Sequence, residues 1–77
     1  MAIVRCMRHL DARRLKAKGY TRWIAPTHLP DVIICGRKGC TEKGAIVLKS
    51  GEKGVVSFYT SALKLDISPY QRFASPL

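Results

Sequence analysis

The chain has 77 residues, 47% of them hydrophobic and 25% charged, which is apolar material enough for one folded core and argues against disorder. Fourteen Lys and Arg against five Asp and Glu leave a formal charge of +9, so polyanions are the natural partners. No apolar run approaches the ~20 residues of a membrane span, and the opening MAIVRCMRHLDARR lacks the apolar block of a signal peptide; a cytoplasmic protein with no membrane partner is expected.

The first short strand is AIVR, residues 2–5, which leads directly into Cys6. LDARRLKAKG predicts a helix of barely two turns, with Asp11 as its cap, good helix formers from Ala12 to Lys18, and Gly19 where a helix commonly stops. Leu10 and Leu15, with Ala12 alongside, form its narrow inner face, so it must lean on a sheet. YTRWIAP, residues 20–26, reads as an extended segment closed by Pro26, and THLP continues the loop. DVIIC, residues 31–35, has the apolar run of a buried strand and delivers Cys35 to its end. AIVLK (45–49) and VVSFYT (55–60) flank SGEKG, whose glycines and polar centre predict an antiparallel hairpin. LKLDI alternates, placing Leu63, Leu65 and Ile67 on one face and Lys64 and Asp66 on the other. The last ten residues, SPYQRFASPL, form a tail that packs through Tyr70 and Phe73 or frays. The expected fold is α+β and β-rich: one domain over residues 1–77, a small antiparallel sheet with one short N-terminal helix, and about 68–77 as a loosely packed tail.

Chains this short bury little apolar surface and often need a staple. Three cysteines cannot all pair within one chain, and a reducing cytosol disfavours disulfides, which shifts weight to metal binding or free thiols. All three fall into ligand-like pairs: Cys6 with His9 in CMRH, a C-x2-H, and Cys35 with Cys40 in CGRKGC, a C-x4-C. Zinc takes four tetrahedral sulfur and nitrogen ligands, and a short loop lets two ligands of one segment reach the same ion. Gly36 and Gly39 suit a chain curling round a metal. The two motifs resemble those of the zinc-ribbon and zinc-knuckle class of small domains, although the ribbon's usual second pair is the narrower C-x2-C. The resemblance implies a structural zinc held by Cys6, His9, Cys35 and Cys40. His28, seven residues before Cys35, is the alternative to His9, which has the shorter loop to Cys6. Two other readings of the thiols stay open: Cys35 as a buried small hydrophobe, and Cys35 with Cys40 as a reversible redox pair beside Arg37 and Lys38.

Enzyme chemistry is not expected. The five carboxylates are scattered, no nucleophile motif is present, and a metal with four protein ligands has no position open to substrate. The cations are uneven along the chain: Arg5, Arg8, Arg13, Arg14, Lys16, Lys18 and Arg22 surround the first pair, while Arg37 and Lys38 lie within the second. One metal would gather both basic segments, and Tyr20 and Trp23 are placed among them to stack on unpaired bases. A nucleic-acid-binding module of low sequence specificity is therefore expected, with Arg5, Arg8, Arg13, Arg14, Lys16, Lys18, Arg22, Trp23, Arg37 and Lys38 as its contact residues. The rival is a protein-interaction module, an adaptor or inhibitor docking on a larger protein, with the hairpin or LKLDI strand offering an edge for strand addition or for a homodimer.

Overall fold

A computed structural model describes residues 2–50, 55–58 and 63–77, with only the backbone described over 55–58 and 63–65. Among the described residues six short strands, one α-helix and two 3-10 segments follow one another: β1 (Ile3–Arg5), α1 (Ala12–Ala17), β2 (Tyr20–Ile24), a 3-10 turn over Pro26–His28, β3 (Ala45–Lys49), β4 (Val55–Phe58), β5 (Leu63–Asp66), a 3-10 turn over Ser68–Phe73, and β6 (Ser75–Pro76). They make a four-stranded antiparallel sheet of order β1-β3-β2-β6 and a separate antiparallel pair, β4-β5. Strand outweighs helix, as the alternation and turn signals lead one to expect.

The centre of the sheet is β3, which is fully buried from Ala45 to Leu48. Alternation splits its side chains between two clusters. Ile46 and Leu48 join Ala2, Val4, Ile24, Leu29, Ile33 and Ile67 on one face, with Tyr70, Phe73 and Ala74 packed against them. Val47 meets Leu15 and Tyr20 on the other, flanked by Ile3, Leu10 and Trp23. A strand covered on both faces needs no polar alternation, and this accounts for the unbroken AIVL run.

The helix behaves as its sequence dictates. The Asp11 carboxylate accepts a hydrogen bond from the Arg14 N–H at 3.2 Å, closing the N-terminus, and Gly19 ends the turn at φ +98°, where a side chain would be strained. Leu15 is the helix's buried residue, sealing the Val47 cluster. In β2 the register slips between Tyr20 and Arg22. That bulge lets Tyr20 and Trp23, three residues apart, share the face under α1.

Two expectations need correction. Residues 31–35 form no strand: the chain turns, with the Ile33 N–H on the Pro30 carbonyl at 3.2 Å, and a single bridge pairs Ile34 with Lys43. The segment is one arm of a small loop that must bend back within ten residues, which leaves no length for a ladder. Nor does β3 form a hairpin with β4. Both edges of β3 are already taken by β1 and β2, and β4 pairs with β5, Val55 opposite Asp66 and Phe58 opposite Leu63. The expected turn at 51–54 and residues 59–60 lie outside the described residues, as does the side-chain alternation of 63–65. Ile67 is fully buried. The C-terminal residues run beside β2, with Ser75 opposite Trp23 and the Leu77 N–H bonded to the Thr21 carbonyl at 3.0 Å.

Candidate metal centre

The antiparallel register of β1 on β3 pairs Arg5 with Ala45. Cys6 therefore leaves the sheet beside Gly44, at the point where the second loop enters it. Both ligand segments emerge from one end of the sheet, although Cys6 and Cys40 lie far apart in sequence. The first segment curls at once, with the His9 and Leu10 N–H groups both bonded to the Cys6 carbonyl at 3.0 and 2.9 Å. This turn brings the His9 ring back over Cys6.

The second segment is a closed loop on a narrow stem. Gly44 N–H bonds to the Ile33 carbonyl and Cys35 N–H to the Glu42 carbonyl, each at 2.8 Å. Within the loop the Cys40 N–H bonds to the Arg37 carbonyl at 3.0 Å, and Gly39 takes φ +82° to turn the chain toward Cys40. The Gly36 N–H reaches the Val4 carbonyl at 2.9 Å and ties the loop to β1. Gly44 is needed for close approach: a Cβ there would stand 2.5 Å from Val4 Cγ1 and 3.2 Å from the Cys35 nitrogen. An exposed Lys43–Asp31 ion pair of 3.0 Å crosses the stem and adds little.

The result is a compact donor set. The ligand atoms of Cys6, His9, Cys35 and Cys40 all lie within 4.8 Å of one another. His9 Nδ1 is 3.2 Å from Cys6 Sγ and 3.5 Å from Cys35 Sγ, and Cys6 and Cys40 Sγ are 3.8 Å apart. A tetrahedral zinc with bonds of about 2.3 Å to sulfur and about 2.0 Å to nitrogen has edges of about 3.8 Å between sulfurs and about 3.5 Å between sulfur and nitrogen. The observed spacings match those edges, with the longest stretched by about one ångström. No disulfide joins the thiols; Cys6 and Cys35 are buried, and His9 and Cys40 half-buried.

The electrostatics also suit a cation. Burial would push the Cys35 thiol up, but hydrogen bonds from the backbone at Arg37 and Cys6 and from the His9 and Cys40 side chains outweigh it, and its pKa falls from 9.0 to about 6. Cys40 moves the other way. The backbone at Glu42 lowers it, yet partial desolvation and the neighbouring sulfurs of Cys35 and Cys6 raise it further. Thiolate character is thus concentrated at Cys35, and desolvation together with the neighbouring sulfurs holds the proton on Cys40.

His28 is not part of this cluster. It stacks on Phe73 with ring centroids 4.1 Å apart. Among the basic residues, Arg8, Arg13, Arg14, Lys16, Lys18, Arg37 and Lys38 are all exposed, and Arg8 meets Arg37 and Lys38 beside the cluster. Arg5 and Arg22 are half-buried and engaged, Arg5 with the Val4 carbonyl at 2.7 Å and Arg22 with the Gln71 Oε1 at 3.2 Å. Trp23 packs into the Val47 cluster and keeps part of its surface exposed. Tyr20 is buried, with Lys49 Nζ 5.2 Å from its ring centre. Sequence reasoning missed Gly44, whose only signal is a glycine directly before an apolar strand, and Thr41 and Glu42, which line the groove beside Cys40. No helix among the described residues is long and apolar enough to cross a membrane. Comparisons with protein-family models, with curated proteins and with solved structures gave no match.

Proposed function

We propose that this is a small zinc-binding protein that binds nucleic acid through its phosphates and has no catalytic activity. The reading rests above all on one observation: four soft or borderline donors, three sulfurs and one imidazole nitrogen, crowd to within 4.8 Å at one end of the sheet. Three thiolates and a histidine are a structural zinc set, and four protein ligands leave no position for substrate. Zinc here staples the CMRH turn to the 35–40 loop and supplies folding free energy that so short a chain lacks. His9 binds through Nδ1, leaving Nε2 to carry the ring proton.

The nucleic-acid part of the proposal is supported by the +9 charge and by the exposure of the helix cations Arg13, Arg14, Lys16 and Lys18 together with Arg8, Arg37 and Lys38. Contacts to phosphates are sequence-tolerant and release counterions. For about four to six such contacts on duplex DNA, the slope of log affinity against log salt is roughly −4 to −5. Arg13→Gln with Arg14→Gln should flatten it by about one to two units while zinc content and the folded spectrum stay unchanged. Binding absent at low salt, or a slope indifferent to these arginines, overturns the nucleic-acid reading. The protein-interaction alternative has its own observation, two exposed large apolar side chains close to the ligand segments, Met7 at 58% and Val32 at 68%. It gains if the pure protein elutes as an oligomer or holds a stoichiometric protein partner.

A further inference from the structure

A cleft of about 340 Å³ opens beside the metal centre. Two of its walls are the ligands His9 and Cys40, and its cations come from both ligand segments: Arg8 from the CMRH turn, Arg37 and Lys38 from the 35–40 loop. Among the described residues, the side chains of these three make no ion pair or hydrogen bond. Three unpaired cations held around one concavity repel one another, and an anion in the cleft relieves that repulsion. Thr41 adds a hydroxyl and Glu42 one opposing carboxylate.

From this geometry we infer that the cleft binds a phosphomonoester, the terminal phosphate of a nucleic-acid strand. The inference rests on the nucleic-acid reading and narrows it to a particular group. Charge decides between the end of a strand and its middle. A backbone phosphodiester carries one negative charge and must be followed into and out of the site on both sides. A phosphomonoester carries about −1.5 to −2 near neutral pH and presents three acceptor oxygens, which suits three cations set against one carboxylate. Arginine's planar fork can take two of those oxygens at once, and lysine a third as a point charge. At ~30 Å³ per water, the cleft holds the space of about eleven waters, enough for a phosphoryl group with the sugar that bears it. The exposed helix cations lie elsewhere and contact the chain of phosphates without regard to ends. The metal and the cleft share His9 and Cys40, so holding the two ligand segments together also assembles the anion site.

The test uses the full-length, metal-replete protein and one labelled single-stranded oligonucleotide carrying a 5′-phosphate, a 3′-phosphate, or hydroxyls at both ends. The expected result is about ten-fold tighter binding of one phosphorylated form, as one added charge-assisted contact would give. Inorganic phosphate and a nucleoside monophosphate should each compete away that gain and leave the remaining affinity. Arg37→Gln with Lys38→Gln should abolish the end preference with zinc content unchanged, and Arg8→Gln, on the other segment, should reduce it. Arg13→Gln with Arg14→Gln should weaken all three oligonucleotides alike and preserve the ratio. Equal affinity for phosphorylated and hydroxyl ends, with binding and metal intact, overturns this inference and leaves the proposed function standing. Phosphate or monophosphate binding that is lost in the Arg37/Lys38 variant, with no strand bound, keeps the cleft as a phosphomonoester site and overturns the nucleic-acid reading. Binding of no oligonucleotide and no phosphate overturns both.

Discussion

Gly44 fixes how closely the two halves of the cluster approach, because the space a Cβ would need there is taken by Val4 of β1 and the Cys35 backbone nitrogen. Gly44→Ala should cost about 1–3 kcal/mol, as overpacking does, and should weaken metal binding by prying the segments apart. Val4→Ala removes the clashing Cγ1, so the double variant should be more stable than the two single losses sum to, as a double-mutant cycle in chemical denaturation would read. Cys35 makes a second residue-scale prediction. Its folded pKa of about 6 lies below the ordinary 9.0, so its stabilising contribution is complete above about pH 9 and is lost as pH falls toward and through 6. Metal affinity should already decline as pH falls through the neutral range, where a proton competes for Cys40, and more steeply below pH 6, where a second competes for Cys35. At the fourth ligand, His9→Ala should release the metal and His28→Ala should leave it bound, read as metal content per chain. The pairing of cysteines and histidine was legible from spacing alone, since C-x2-H and C-x4-C each close a short loop. Gly44 was not, because its requirement arises from Val4, forty residues away.

At the scale of elements, the legible parts are those set by neighbours in the chain. The α1 helix is bounded by Asp11 and Gly19, and both signals are local: one carboxylate on the Arg14 N–H, one glycine with positive φ. Asp11→Ala should cost about 1 kcal/mol and leave the metal in place, measured by thermal melting with metal analysis. The strand partners were not legible. AIVLK and VVSFYT are close in sequence and carry a turn signal between them, yet β3 pairs with β1 and β2. The clue was the absence of polar residues in AIVL, which marks a strand buried on both faces and flanked on both edges. Ile46→Ala, at a fully buried position, should cost about 2–5 kcal/mol, enough to unfold so small a domain at ordinary temperature. DVIIC misled for the opposite reason: its apolar residues serve the core, Ile33 being buried at 2% exposure, but its backbone is committed to the stem of the ligand loop.

Across the whole molecule, the sheet and the cluster solve one problem together. The core clusters lie on the two faces of β3, while the 33–44 loop contributes only Ile33 to them and otherwise hangs from the stem and the Gly36–Val4 hydrogen bond. A metal bridging Cys6 and His9 to Cys35 and Cys40 would make that loop part of the fold, and would fix the cations of both segments around the cleft. Metal occupancy therefore decides whether the two segments are joined in this way. The deciding measurement is metal content and free-thiol count of full-length protein purified without chelators, alongside Cys40→Ser. One zinc per chain with three reduced thiols is expected, the zinc being lost together with much of the folded signal in the variant. A folded, metal-free protein in which Cys35 and Cys40 form a disulfide, or whose folding is untouched by Cys40→Ser, would contradict it.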